Sequence, residues 1–252
     1  NKSLKNLLQQ KKIKSIITPY ESQPFQNLIF DEAKKKNIKT IGYTAVSQPM
    51  PLHNLFRDGS PNMLLVHSNQ EKLHLIKYFN WPKSRVKIIH SISYKKKPIQ
   101  LLSKKIFIPY IINDKKIYLE NFIKLIKKKK NNNFSFYKTQ NHPYMKNSAK
   151  HIEFINEIKE IKKNYKLSFS RENNDSSIFF GETYGIFELV SRGMQGFHIT
   201  GNPILETYNE KIWPGFKVIK LDDNIYSYKM IKKSNGLKFG WKKNNIFNYI
   251  FR

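Results

Sequence analysis

Strand-length apolar runs alternate with amphipathic stretches along this chain, and that alternation constrains the fold more than any other feature. Residues 13–18 form an apolar run stopped by Pro19. Residues 24–36 place Phe25, Leu28, Ile29 and Ala33 at helical spacing, and 38–43 read as the next strand. A loop rich in Pro, Ser and Gly spans 44–61, followed by strand 63–66, helix 69–79 and strand 86–89. A chain that returns to a strand after each helix builds a parallel sheet with crossover helices. The polar, proline-bearing segment 94–100 interrupts the pattern and reads as a linker. A second series then begins, with strand 105–109, helix 115–130, strand 134–138, helix 149–164, strands 166–169 and 176–180, helix 182–192 and strand 196–200. Helical stretches are expected at 222–233 and 241–251. The expected fold class is α/β, with an N-terminal domain over 1–97 and a C-terminal domain over 98–252. The chain opens on Asn1 rather than Met, so the N-terminal domain is expected to be truncated.

The net charge of +28 has two readings. Basic proteins gain affinity for nucleic acid by neutralising phosphates. Here, however, 41 of the 46 basic residues are lysines and only five are arginines, beside abundant Asn and Ile. These are the residues that AT-rich codons supply, whereas base readout favours the bidentate guanidinium. Compositional drift is the preferred reading, and nucleic acid is not expected as a partner. Either way, such a surface attracts anionic membranes and anionic substrates. The chain has no cysteine, which excludes disulfides, thiolate metal sites and a cysteine nucleophile. No stretch approaches about 18 continuous apolar residues and no secretory pattern opens the chain. The expected location is the cytoplasm, with peripheral contact at the inner face of an anionic membrane.

Ligands of open α/β sheets sit at the carboxyl ends of strands, so residues just after strands are the candidates. Lys138 and the dipeptide His142-Pro143 follow strand 134–138. An imidazole made rigid by the next proline can hydrogen-bond a phosphate oxygen, and Lys138 adds a point charge. The same residues would also suit an ordinary surface loop. The segment Ser176 to Glu188 is a strand that ends in Gly181 and runs directly into a helix. Gly181 and Gly185 permit close approach of a ligand, and a helix N-terminus suits a phosphate. Thr183 would cap the helix or donate to that phosphate. Glu188 lies among apolar neighbours, so its carboxylate needs a partner, and the two hydroxyls of a ribose would supply one.

Taken together, the His-Pro loop, the following helix, the strand–Gly–Thr–helix with an internal Glu, and the later Gly-Phe-His-Ile resemble the C-terminal domain of GT-B glycosyltransferases. They are most similar to bacterial sialyltransferase-like and Kdo-transferase-like enzymes, which use CMP-sugars and carry a His-Pro motif. The likeness covers roughly residues 105–209. It implies two Rossmann-like domains facing a cleft. It also implies transfer of a sugar from a nucleotide-sugar donor to a bacterial surface glycan or lipid-linked acceptor. By this resemblance His142 and Pro143 contact the donor phosphate, Ser177, Thr183 and Tyr184 surround the phosphate or nucleotide, and Glu188 the ribose.

Tyr20-Glu21-Ser22-Gln23-Pro24-Phe25 follows the first strand and looks like the Tyr-Glu-x-x-Pro-aromatic segment of some surface-carbohydrate biosynthesis proteins. Glu21 there would deprotonate an acceptor hydroxyl, or it caps the helix that begins near Pro24. Sialyltransferases of this fold also carry an acidic–acidic–Gly motif. The nearest match is Arg57-Asp58-Gly59, which lacks the first acid and equally reads as a turn. Asp58 is the second candidate base, and His53 and Arg57 are weak candidates for an acidic sugar. His67 ends a strand and joins the candidates, whereas His74, His90, His151 and His198 read as surface or packing residues. Asp-x-Asp, Walker and Gly-x-Gly-x-x-Gly motifs are missing, so a metal-independent reaction with no cofactor is expected. The competing readings are a nucleotide-sugar epimerase or hydrolase on the same scaffold, a nucleic-acid-binding protein, and a transferase that has kept only binding.

Overall fold

The computed structural model describes residues 6, 8, 13–45, 47, 49, 54–91, 101–129, 134–137, 148–165, 175–231 and 236–240. The chain divides into two compact units, Asn1–Lys96 with Ser234–Arg252, and Lys97–Lys233. Both are α/β.

In the first unit the strands are β1 (Ser15–Pro19), β2 (Lys39–Tyr43), β3 (Met63–Val66) and β4 (Val86–Ile88). They form one parallel sheet in sequential order. Sequential order means that every crossover steps the same way, and right-handed crossovers then lay their helices on one face. Those helices are α1 (Pro24–Lys34) and α2 (Asn69–Tyr78). Leu64, Val66 and Val86 meet Phe30, Leu75 and Phe79 in one core cluster with Tyr20 and Trp81. Ile41 and Leu65 alternate to the opposite face and cluster with Ile89. The face of α1 departs from its sequence pattern. Gln26, Phe30 and Ala33 are buried, while Phe25 and Leu28 are exposed. The first turn decides this, because Gln26 turns inward to bind the loop before it. Its Oε1 accepts from the backbone N–H of Glu21 and of Gln23, both at 3.0 Å, and its Nε2 donates to Pro19 O at 2.9 Å.

In the second unit the strands are β5 (Lys105–Phe107), β6 (Ser135–Phe136), β7 (Ser176–Phe180), β8 (Gln195–Ile199), β9 (Phe216–Asp222) and β10 (Ile225–Met230). Their order is β6-β5-β7-β8-β10-β9, the first four parallel and the last two antiparallel. Helices α3 (Lys115–Lys129) and α4 (Ala149–Asn164) cover one face. Tyr118, Phe122, Phe154 and Ile158 close there over Ile106, Ile178, Phe180 and Ile199. Helix α5 (Gly185–Ser191) puts Phe187 into an aromatic group with Tyr208, Trp213 and Phe216. A one-turn helix, α6 (Pro203–Glu206), follows β8.

Three expectations are corrected. Of the helix expected at 222–233, the described residues 222–231 are not helical, because Ile225–Met230 pairs with β8 on one side and β9 on the other, and the turn after Asp222 closes a hairpin. The helix expected from 182 begins at Gly185, so 181–184 is a loop. The C-terminal stretch groups with the first unit rather than the second. Lys238 shows how, since its N–H donates to His67 O at 2.8 Å and its carbonyl accepts from Ser91 N at 2.7 Å. The strand expected at 166–169, the helix at 241–251 and the linker at 94–100 lie outside the described residues.

Candidate functional site

In the second sheet the chain grows from β5 to β6 on one side and then resumes with β7 on the other. A crevice opens outside the carboxyl ends of strands at such a reversal. Here that edge is formed by Pro109 after β5, Gly181 after β7 and Gly201 after β8. Two buried imidazoles hold it. His151 Nε2 meets Pro109 O at 3.1 Å, and His198 Nε2 meets Gly181 O at 2.7 Å. Each facing atom is a carbonyl, so each Nε2 carries the proton. Burial pushes the His198 imidazole down to about 4, which keeps it neutral.

Gly181 has φ of +57°, and a Cβ there would fall 2.4 Å from Tyr118 Oη. A Cβ on Gly201 would fall 3.2 Å from Asp114 Cβ and 3.3 Å from Tyr118 Oη. The closest neighbour of each of these glycines is a side chain of this chain. The Tyr118 phenol is fully buried and faces the carboxyl of Glu206 without closing a hydrogen bond. Glu206 is itself buried and accepts from Gly201 N at 2.9 Å. Burial pushes its carboxyl up, against the pull of that N–H. Burial also pushes the Tyr118 phenol up, and the charges of Glu206 and Asp114 add to it. The exposed Glu182 bears on both groups. Asp114 and Glu182 are exposed at this edge, and their carboxylates can accept hydrogen bonds from hydroxyls.

The expected donor-site residues fall in different places. Ser177 lies near the start of β7, the opposite end from Gly181. Its buried Oγ donates to Leu102 O at 2.5 Å and accepts from Lys105 N at 2.9 Å, so it stitches β7 to the segment before β5. Thr183 and Tyr184 are half-buried in the loop, and Tyr184 Oη donates to Glu182 Oε1 at 2.8 Å. Glu188 has the partner that its surroundings demand. Arg192, one turn on, donates to its Oε1 at 2.8 Å, and both side chains are largely buried. Lys138, His142 and Pro143 lie outside the described residues, as does His53. Their segment leaves from Tyr137 beyond β6 and re-enters at Ser148, ahead of His151.

In the first unit, Glu21 is half-buried directly after β1. Asp58 is exposed in a turn closed by Ser60 N on Arg57 O at 3.0 Å, with Gly59 at φ +82°. Arg57 joins the two loops by donating through Nη2 to Ser22 O at 2.9 Å and Ser22 Oγ at 3.0 Å. Ser22 takes φ +54°, an uncommon conformation for a residue with a side chain. His67 is fully buried after β3, and burial pushes its imidazole down. Glu71 is buried beside it and accepts from His67 N at 2.8 Å, Ser68 Oγ at 3.1 Å and Ser47 Oγ at 2.6 Å.

Sequence reasoning missed Tyr118, Asp114 and Glu206. The signal for Glu206 was present, since Asn202-Pro203 directly after a strand marks a short capped helix at a carboxyl edge. Tyr118 carried none, because its apolar spacing is that of any core residue. Among the described residues no three His, Asp or Glu side chains gather as metal ligands. No described helix is long and apolar enough to cross a membrane. No known protein family, curated protein or solved structure matches the chain.

Proposed function

We propose that the chain is a glycosyltransferase of the two-domain GT-B kind, moving a sugar from a nucleotide-sugar donor, CMP-sugar favoured, to a bacterial surface glycan or lipid-linked acceptor. The observation that supports this reading is the reversal of strand order between β5 and β7, whose carboxyl edge carries the exposed Asp114 and Glu182. The two halves of a nucleotide sugar ask for different surroundings. Its hydroxyls suit the exposed carboxylates of Asp114 and Glu182, with Tyr184 hydrogen-bonded to Glu182. Its phosphate suits Lys138, which carries the opposite charge, and His142, whose imidazole can donate a hydrogen bond to it. Within the first unit, Glu21 at the end of β1 would take the proton of the acceptor hydroxyl, with Asp58 as the second candidate. Stabilising the leaving phosphate by fixed positive groups needs no metal in this scheme. The basic surface would hold the protein against an anionic membrane that carries the acceptor.

Thermal shift against CMP, UDP and GDP tests the reading, repeated with His142→Ala. A ligand at 100 times its Kd stabilises the native state by about 2.7 kcal/mol. Stabilisation by CMP that His142→Ala abolishes is expected. Indifference to all three nucleotides, with salt-sensitive binding to DNA or RNA, would overturn the proposal and make the net charge of +28 the functional feature. Product analysis with a bound donor separates transfer from epimerisation or hydrolysis.

A further inference from the structure

The first unit carries a cavity at the amino ends of its strands, opposite the edge that holds Glu21 and His67. Its volume is about 550 Å³, within the range of small-molecule sites, and Lys34, Asn37, Ile38, Lys39 and Asn62 line it. Lys34 ends α1, Asn37 and Ile38 follow it, Lys39 opens β2 and Asn62 directly precedes β3. None of these lining residues is acidic.

The acceptors around the cavity are already spent. Ala33 O accepts from Lys36 N and Ile38 N, both at 3.0 Å, and Lys34 O accepts from Asn37 N at 2.9 Å, so the end of α1 is closed. Asn37 makes that turn at φ +56°, a conformation that Asn tolerates. Asn62 Oδ1 accepts from Thr40 N at 2.9 Å and from Thr40 Oγ1 at 2.7 Å. Asn62 N donates back to Thr40 Oγ1 at 2.8 Å. With its oxygen fixed on Thr40, the Asn62 side chain has only its Nδ2 donor left over. Lys34 Nζ donates to Ser60 O, and no described carboxylate forms an ion pair with it. An ammonium has three donors, so Lys34 keeps donors to spare. Burial pushes it below its ordinary value, the charge of Asp31 opposes that, and Arg85 adds to it. A half-buried cation in this position is stabilised by an incoming anion.

We propose that this cavity binds an oxyanion of the phosphomonoester class, held by Lys34 Nζ and Asn62 Nδ2, with Lys39 adding its charge. A phosphomonoester brings about two negative charges and three acceptor oxygens at pH 7, which match a wall of donors and lysines. The site lies away from the carboxyl edges and does not depend on the transferase reading.

The test is calorimetric titration of the full chain with inorganic phosphate and with glucose 6-phosphate, at constant ionic strength in chloride. Wild type, Lys34→Met, Asn62→Asp and Lys36→Met are compared, and their melting temperatures confirm folding. Lys36→Met removes the same charge from the exposed turn after α1 and controls for diffuse surface attraction. Asn62→Asp keeps the acceptor toward Thr40 and turns the remaining donor into an anion. Loss of a charge-assisted hydrogen bond corresponds to about tenfold or more in affinity. Both probes are expected to weaken by that much in Lys34→Met and in Asn62→Asp, and to hold in Lys36→Met. Absence of saturable binding of both probes to wild type, equal losses in Lys34→Met and Lys36→Met, or wild-type affinity in Asn62→Asp would each overturn the proposal. Where the expected pattern holds, sedimentation with phosphatidylcholine vesicles that carry phosphatidic acid separates the two sources of the group. Vesicle binding that falls in the same two variants assigns a lipid headgroup, and vesicle binding level across the series assigns a soluble phosphomonoester.

Discussion

At the scale of single residues, the second unit holds its candidate edge with groups whose protonation is set by burial. His198 is fully buried, donates to Gly181 O at 2.7 Å and has its imidazole pushed down to about 4 from 6.5. Below pH 6.5 the unfolded chain takes up a proton that the folded chain refuses. Its contribution is therefore complete above 6.5 and is lost as pH falls toward 4. The loss amounts to about 3 kcal/mol. His198→Gln keeps a donor toward Gly181 and cannot titrate. Urea unfolding at pH 7 and pH 4.5 should show a smaller drop in the variant, and equal drops would refute this account. Glu206 runs the other way. Its carboxyl is pushed up, so its contribution is present at low pH and is lost as pH rises through its folded value. Glu188 was legible as a buried carboxylate in need of a partner. Its partner within the chain is Arg192, an i,i+4 neighbour that the sequence already displayed.

At the scale of elements, the junction of β7 with α3 depends on a glycine. Any side chain at Gly181 meets both the left-handed backbone and the Tyr118 hydroxyl at 2.4 Å. Gly181→Ala should destabilise the second unit by roughly 2–4 kcal/mol, from backbone strain plus overpacking. Tyr118→Phe in the same chain removes the nearest atom and should recover part of that loss. A double-mutant cycle measured by denaturant unfolding would show a favourable coupling. Strict additivity would place the whole cost in the backbone. The hairpin of β9 and β10 marks where element type was not legible. Asp222-Asp223-Asn224 before an apolar stretch caps a helix or turns a hairpin equally well, because both use the same short polar side chains. The free edge of β8 selects the hairpin by offering Ile225 and its neighbours a ladder of backbone hydrogen bonds.

At the scale of the whole molecule, the chain builds one parallel sheet, then a mixed one, and ends with the first unit. Residues 236–240 supply partners to the His67 carbonyl and the Ser91 N–H, at the carboxyl ends of β3 and β4. Ending the chain after Lys233 should leave both groups to water and lower the stability of the first unit. The second unit should keep its own. Limited proteolysis followed by mass spectrometry would show faster cutting within 13–91 of the shortened chain, and equal protection of that region would contradict the assignment. The net charge is a property of this scale too. It bears on solubility and on which surfaces the protein approaches.

The amino-acid sequence by itself determined the α/β class, eight of the ten described strands as strands, and a helix from Asn69 where α2 begins. Apolar periodicity and capping act over a few residues, so a local reading captures them. It also singled out His67 and Gly181 as strand-end positions and Glu188 as a carboxylate among apolar neighbours. Only the tertiary structure decided the order of the strands, the aromatic line through Tyr137, Phe107 and Phe179, and the meeting of Tyr118, Asp114 and Glu206 at one edge. Those residues lie far apart in the chain and share no local pattern. Strand register and crossover direction, which bring them together, are set by burying both faces of a sheet at once.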